Sequence, residues 1–169
     1  MTTLYEFSIH GRPILDTPFH LQGAGLPNVY LLNGVTIEND PDYGELITIE
    51  DLQNLHLAMG LSVVRRPREL TGDEMRFLRK QIGLTQGQLA KQLRVSTQTV
   101  ANYEKGKTEK GPADVAVRFI YLAHVSPRAG IADACQQIAR ELVDASETNQ
   151  KPIRMQAGQW SSGATHGNA

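Results

Sequence analysis

The 169-residue sequence is 40% hydrophobic and 21% charged, so it holds enough apolar material for one ordinary core or two small ones. No apolar run nears the roughly 18 residues of a membrane-spanning helix, and the opening Met1-Thr2-Thr3-Leu4-Tyr5-Glu6 shows neither part of a secretory signal. The net charge of −1 hides a division: residues 1–64 set one basic residue against eight acids, residues 65–127 set twelve against six, and residues 128–169 balance.

A division of that size points the middle segment at a polyanion and keeps the front segment away from it. Two solvated surfaces of opposite sign are the plainer alternative. The front reads as strands and turns. Leu4-Tyr5-Glu6-Phe7-Ser8-Ile9 alternates apolar and polar residues and breaks at Gly11 and Pro13. Asn28-Val29-Tyr30-Leu31-Leu32 is a β-type run, and Asn33-Gly34 signals a hairpin into Val35-Thr36-Ile37. A polar turn, Asn39-Asp40-Pro41-Asp42-Tyr43-Gly44, leads to Leu46-Ile47-Thr48-Ile49. Leu52, Leu55 and Met59 then recur at helical spacing, with Gly60 as the expected stop. Residues 1–64 are therefore expected to form a small β-rich unit closed by one helix.

Arg65-Arg66-Pro67-Arg68-Glu69-Leu70 reads as a basic linker, because Pro67 disfavours helix at the residue before it. Beyond it the pattern is helical. Thr71-Gly72-Asp73-Glu74 is a capping-box sequence opening a helix with Met75, Phe77, Leu78 and Ile82, which stops at Gly83. Thr85-Gln86-Gly87-Gln88 repeats the box ahead of Leu89, Ala90 and Leu93. Ser96 is an N-cap for a third short helix that carries Val100 and Tyr103 and ends at Gly106. Pro112 occupies a first helical position before Val115, Phe119, Ile120 and Leu122.

Ser126-Pro127 reads as another cap-plus-proline signal. The stripe Ile131, Cys135, Ile138 and Leu142 after it suits a helix seam. Cys135 is the only cysteine, which rules out an intramolecular disulfide, and on an apolar stripe it reads as a small hydrophobe. Residues 147–169 are rich in Gly, Ser, Asn, Gln and Thr, and their composition predicts a disordered tail. Trp160 stands in that tail without apolar neighbours.

The functional signal lies in Thr85–Leu93, Arg94-Val95-Ser96 and Thr97–Glu104, a short helix, a three-residue turn and a second short helix. Leu89, Ala90, Val95, Val100 and Tyr103 would pack the two helices at a steep angle. The opposite face of the second then presents Thr97, Gln98, Ala101 and Asn102. A short helix carrying amides near its amino-terminal half can enter the major groove, where Gln or Asn pairs with adenine N6/N7 and Thr meets a thymine methyl. Lys105, Lys107 and Lys110 follow at the helix exit, where phosphates would lie.

Phe77-Leu78-Arg79-Lys80-Gln81-Ile82-Gly83-Leu84-Thr85-Gln86, then Leu89-Ala90, Val95-Ser96, Val100 and Tyr103-Glu104-Lys105-Gly106-Lys107 resemble the Cro/phage-repressor (Xre-type) helix-turn-helix. The resemblance spans roughly residues 71–125. It implies a five-helix DNA-binding domain that acts as a dimer on a two-fold symmetric operator. It also implies base reading by Thr97, Gln98 and Asn102, and a backbone-phosphate contact at Gln86, with Thr85 beside it. Arg79 and Glu104 match a structural ion pair tying the first helix to the recognition helix. Arg94 stands where the family most often has glycine, so a positive φ there would incur strain.

Gly25-Leu26-Pro27-Asn28-Val29-Tyr30-Leu31, Gly34-Val35, Tyr43-Gly44 and Leu55 are similar to the front unit of MqsA-type antitoxins. That family's zinc cysteines are missing: Asp40-Pro41-Asp42-Tyr43-Gly44 stands in place of the second pair, and there is no first. Asp40, Asp42, His10 and His20 are the substitute ligands on offer, and no metal or other cofactor is expected.

No triad, P-loop, dinucleotide or metalloprotease pattern occurs, and the histidines are scattered, so no enzyme is expected. His56 reads as a partly buried structural residue. The expected fold class is α+β: a β-rich unit (1–64) for dimerisation or partner binding, a linker (65–70), an all-α helix-turn-helix domain with a C-terminal helix (71–146) and a tail (147–169). The expected function is a homodimeric, cytoplasmic, sequence-specific repressor of double-stranded operator DNA, with a recognition helix at 97–104. The alternative is an antitoxin whose acidic front unit neutralises a basic toxin while the helix-turn-helix autoregulates the operon.

Overall fold

The computed structural model describes residues 4–129, together with the strand residues Gln156–Ala157 and Trp160–Ser162. They divide into two compact units, parted between Met59 and Gly60. The seam stripe at 131–142 lies outside the described residues.

The front unit contains β1 (Tyr5–Ile9), β2 (Phe19–His20), β3 (Val29–Leu31), β4 (Val35–Asp40) and β5 (Gly44–Ile49), and the first turns of α1 (Leu52–Val64). Its main sheet has five strands in the order β2-β3-β1-β7-β6, where β6 is Gln156–Ala157 and β7 is Trp160–Ser162. β1 runs parallel to β3 and antiparallel to β7, with Ile9 opposite Trp160 and Phe7 opposite Ser162. Tyr5, Phe7, Ile9, Val29 and Leu31 are all buried. A sheet position covered on both faces explains why β1 is buried almost throughout rather than alternately.

Two expectations change here. Asn33-Gly34 does not join a β3–β4 hairpin: β3 pairs with β1 and β2, while β4 pairs only with β5 among the described residues. The buried Asn33 side chain acts as a strand extension instead. Its Oδ1 accepts from Ile9 N at 2.6 Å, and its Nδ2 donates to Ile9 O at 3.0 Å and Arg12 O at 3.2 Å. A side-chain amide that reproduces the ladder bonds frees the backbone to leave the sheet at Gly34, whose φ is 73°. The second change is in the tail. Trp160–Ser162 adds to the edge of β1, a backbone-driven pairing that composition does not reveal.

The second sheet is the β4–β5 hairpin. Its turn is set by Asp40, whose Oδ1 accepts from the backbone of Asp42 at 2.8 Å and Tyr43 at 2.9 Å.

The second unit contains the end of α1, then α2 (Gly72–Gln81), α3 (Gln86–Leu93), α4 (Thr97–Glu104) and α5 (Pro112–Ala129). Met75, Phe77, Leu78, Leu89, Val100, Val117, Tyr121 and Leu122 are buried in it. Gly60 is not a helix stop. α1 continues through it, and the absent side chain leaves room for Tyr121, whose phenol a Cβ at Gly60 would overlap. Burial pushes the Tyr121 phenol well above its ordinary pKa.

Ser126-Pro127 does not start a new helix, because α5 runs through both residues to Ala129. Without an N–H at Pro127, the Ala123 carbonyl loses its helical donor. Val115 and Phe119 are 45% and 46% exposed, and the buried face of α5 is Asp114, Val117, Arg118, Tyr121, Leu122 and Val125. Arg118 shifts the face. It is 1% exposed and donates to Asp114 and to the carbonyls of Val64, Arg66 and Arg68 at 2.6–2.9 Å. Leu70 N donates to Asp114 Oδ1 at 2.7 Å. Residues 65–70, read as a linker, are thus fastened to α5 by one arginine–aspartate pair.

Candidate nucleic-acid interface

The three helices that build the interface each begin at a capped turn. At α2, Thr71 Oγ1 accepts from Glu74 N while Glu74 Oε2 accepts from Thr71 N at 2.7 Å. At α3, Thr85 Oγ1 accepts from Gln88 N at 3.1 Å, and Gln88 Oε1 accepts from Thr85 N at 2.8 Å. At α4, Ser96 Oγ accepts from Thr99 N at 3.0 Å. Each cap satisfies donors that a helix start otherwise leaves open.

The turn between α3 and α4 depends on Arg94, which is left-handed at φ 57° and ψ 40°. Val95 N then donates to Ala90 O at 3.0 Å, closing the helix end. Leu89, Ala90 and Val100 fill the angle between the helices and are almost fully buried, while Val95 and Tyr103 are half-buried.

The outward face of α4 carries the predicted base-reading residues. Thr97 and Gln98 are exposed and Asn102 is half-buried. Gln98 Nε2 donates to Asn102 Oδ1 at 3.1 Å. That bond uses one Gln98 N–H and the Asn102 carbonyl, so the Gln98 carbonyl, its second N–H and the Asn102 amide hydrogens still offer both donors and an acceptor. That is the complement an adenine edge in the major groove requires.

Glu104 fixes α4 from within. Its side chain is 1% exposed, and its carboxylate accepts from Arg79 Nε and Nη2, from Gln86 Nε2 at 2.9 Å and from Arg76 Nε at 3.4 Å. Arg76 Nη2 also donates to Glu104 O at 3.1 Å. Burial alone would raise the Glu104 pKa, but the hydrogen bonds from Arg79, Gln86 and Arg76 outweigh it and hold the carboxyl below its ordinary range. Gly72 completes the junction, since a Cβ there would overlap the Glu104 carbonyl.

The predicted phosphate contacts separate. Lys105 and Lys107 are exposed beyond the end of α4, and Thr85 is exposed at the start of α3. Gln86 spends one amide hydrogen on Glu104 and keeps its carbonyl and second hydrogen. Lys110 leaves the set. Its side chain is 5% exposed, with Nζ 3.9 Å from Glu69 Oε2, so it cannot reach a phosphate from its place. Glu69 is held by backbone donors at Gly111 and Lys110, at 2.9 and 2.8 Å, and they lower its pKa. Spacing along the sequence could not distinguish Lys110 from Lys107. Arg76 was missed because its pattern on α2 reads as plain solvent-facing charge.

Residues 75–116 match the family model described as helix-turn-helix. No curated protein and no solved structure matches the chain. The matched stretch runs from within α2 into α5 and contains every predicted DNA-contact residue, from Thr85 to Lys110. It is a helix-turn-helix DNA-binding unit of the Xre/Cro type, as expected of a transcription regulator, and the front unit lies outside it. Among the described residues, no helix is long and apolar enough to cross a membrane, and no group of three or more His, Cys, Asp or Glu is placed to hold a metal ion.

Proposed function

We propose that the protein is a dimeric, cytoplasmic, sequence-specific repressor that reads a two-fold symmetric operator, including that of its own promoter, and has no catalytic activity. The observation that carries this is the state of α4: its outer face offers the Gln98–Asn102 amide pair, while its inner end is fixed by a buried carboxylate with three side-chain partners. A rigidly held helix with an exposed amide face suits base reading better than a loose basic patch, which would bind phosphates alone.

In this reading Gln98 and Asn102 contact base edges, and Thr97 meets a methyl group or a phosphate. Thr85, Gln86, Lys105 and Lys107 set the register on the backbone. Two copies would place their recognition helices about 34–36 Å apart, one helical turn of DNA. Hydroxyl-radical footprinting on the upstream DNA tests this. Two protected patches one turn apart are expected, and a single patch would contradict the dimer. A second reading, an antitoxin that also neutralises a basic toxin, draws support from the one-to-eight excess of acids in residues 1–64.

A further inference from the structure

Among the described residues, the β4–β5 hairpin is largely exposed on both faces and pairs with no strand at either outer edge. Its registered pairs are Val35–Ile49, Thr36–Thr48, Ile37–Ile47, Glu38–Leu46 and Asn39–Glu45. Side chains alternate across a strand, so Val35, Ile37, Ile47 and Ile49 share one face, with Asn39 and Glu45 toward the turn. Ile37 and Ile47, directly opposite each other, are 50% and 48% exposed. Tyr43 at the turn is 82% exposed. No third strand pairs with β4 or β5 among the described residues. A two-stranded ribbon with a branched apolar face is marginal alone in water, and an exposed face of this kind marks an interaction site.

Charge selects the occupant. Residues 35–50 hold Glu38, Asp40, Asp42, Glu45 and Glu50 and no Lys or Arg. Glu50 pairs with Arg12 at 3.0 Å. The other four acids border the apolar face and the turn, or stand on the opposite face. A second copy of the hairpin would bring the same charges against them, and DNA or an anionic lipid surface would repel them equally. We propose that the apolar face of the β4–β5 hairpin docks a partner protein through a basic segment in extended conformation, with aliphatic side chains against Ile37 and Ile47 and cations against Glu45 on the same face and Asp42 in the turn. Free strand edges let such a segment add backbone hydrogen bonds as a further strand. The proposal rests on the reading of the front unit as a partner-binding unit, and not on the operator.

The probe is an end-blocked ten-residue peptide of alternating valine and lysine, titrated into the full-length protein and followed by amide NMR shifts at two salt concentrations. A valine–glutamate peptide serves as the control. The expected result is saturable binding of the lysine peptide alone, weakened by salt, with shifts centred on residues 35–49. The double variant Ile37→Asn, Ile47→Asn keeps every charge and should lower affinity at least tenfold, whereas Leu46→Asn on the opposite face should not. Equal binding by the double variant, or shifts centred elsewhere, would overturn the hairpin face while leaving a charge-driven partner unit standing. Absence of lysine-peptide binding, or equal binding of the glutamate peptide, would remove the partner reading as well. Should the double variant lose the front-unit spectrum, the shift map of the unaltered chain decides alone.

Discussion

Gln98 and Lys107 stand within one short stretch of chain, yet the proposed function gives them different work. Gln98 is oriented by Asn102 at 3.1 Å and presents an amide edge, whereas Lys107 is an exposed cation beyond the helix end. Gln98→Ala should therefore weaken operator binding by about 1–3 kcal/mol and relax one base position. Lys107→Ala should weaken all sequences alike and reduce the slope of log affinity against log salt by about one. Lys110→Ala should leave that slope unchanged and lower the unfolding midpoint instead, because Lys110 is buried against Glu69. Glu104 carries the acid sensitivity. A carboxyl held below its unfolded value of about 4.5 adds stability that is complete above that pH and lost as pH falls through the folded value. Urea midpoints measured from pH 7 to 3 should fall below about pH 4.5, and Glu104→Gln should flatten that fall. The sequence revealed the caps, the Arg79–Glu104 juxtaposition and the amide face, because all are set by local spacing or by the family pattern. It did not reveal Arg76, Arg118 or the burial of Lys110. Asp114 lies one turn from Arg118, but the contacts with Glu104, Glu69 and Val64 that bury these groups span 28 to 54 residues, beyond any local signal.

At the level of elements, α2 and α4 meet with no space to spare. Gly72→Ala would place a Cβ against the Glu104 carbonyl, so it should destabilise the helical unit by about 1–3 kcal/mol. Calorimetry checks this, and an unchanged melting temperature would contradict the close approach. Arg118 performs a comparable task for residues 64–70. Replacing it by Met would leave Asp114 buried without its charge partner, a loss of about 3–5 kcal/mol. Segment type was largely readable from periodicity and caps, as at Thr71, Thr85, Ser96 and Pro112. Pairing was not. Asn33-Gly34 carries the local signature of a hairpin, but the buried Asn33 amide bonds to β1 and redirects the chain. Gly60 carries the signature of a helix stop, but its hydrogen is a packing surface for Tyr121. In both cases a tertiary contact overrode a sound local rule.

For the whole molecule, the division of charge is the feature that sequence and structure describe in the same terms. The basic middle segment contains the helix-turn-helix, and the acidic front carries the open hairpin. On the proposed function, like charge would keep the front off a duplex while the helical unit binds it. The tail shows what composition cannot foresee, since Trp160–Ser162 pairs with β1 through backbone groups. In the proposed reading, α4 reads DNA sequence through Gln98 and Asn102. That reading is tested most directly by a gel shift on the DNA upstream of the protein's own gene, at two salt concentrations, with excess competitor DNA and the Gln98→Ala variant alongside. A shift that survives competitor is expected, weaker in the variant and with one base position relaxed. Binding that competitor abolishes, or that Gln98→Ala leaves intact in both affinity and base preference, would contradict it.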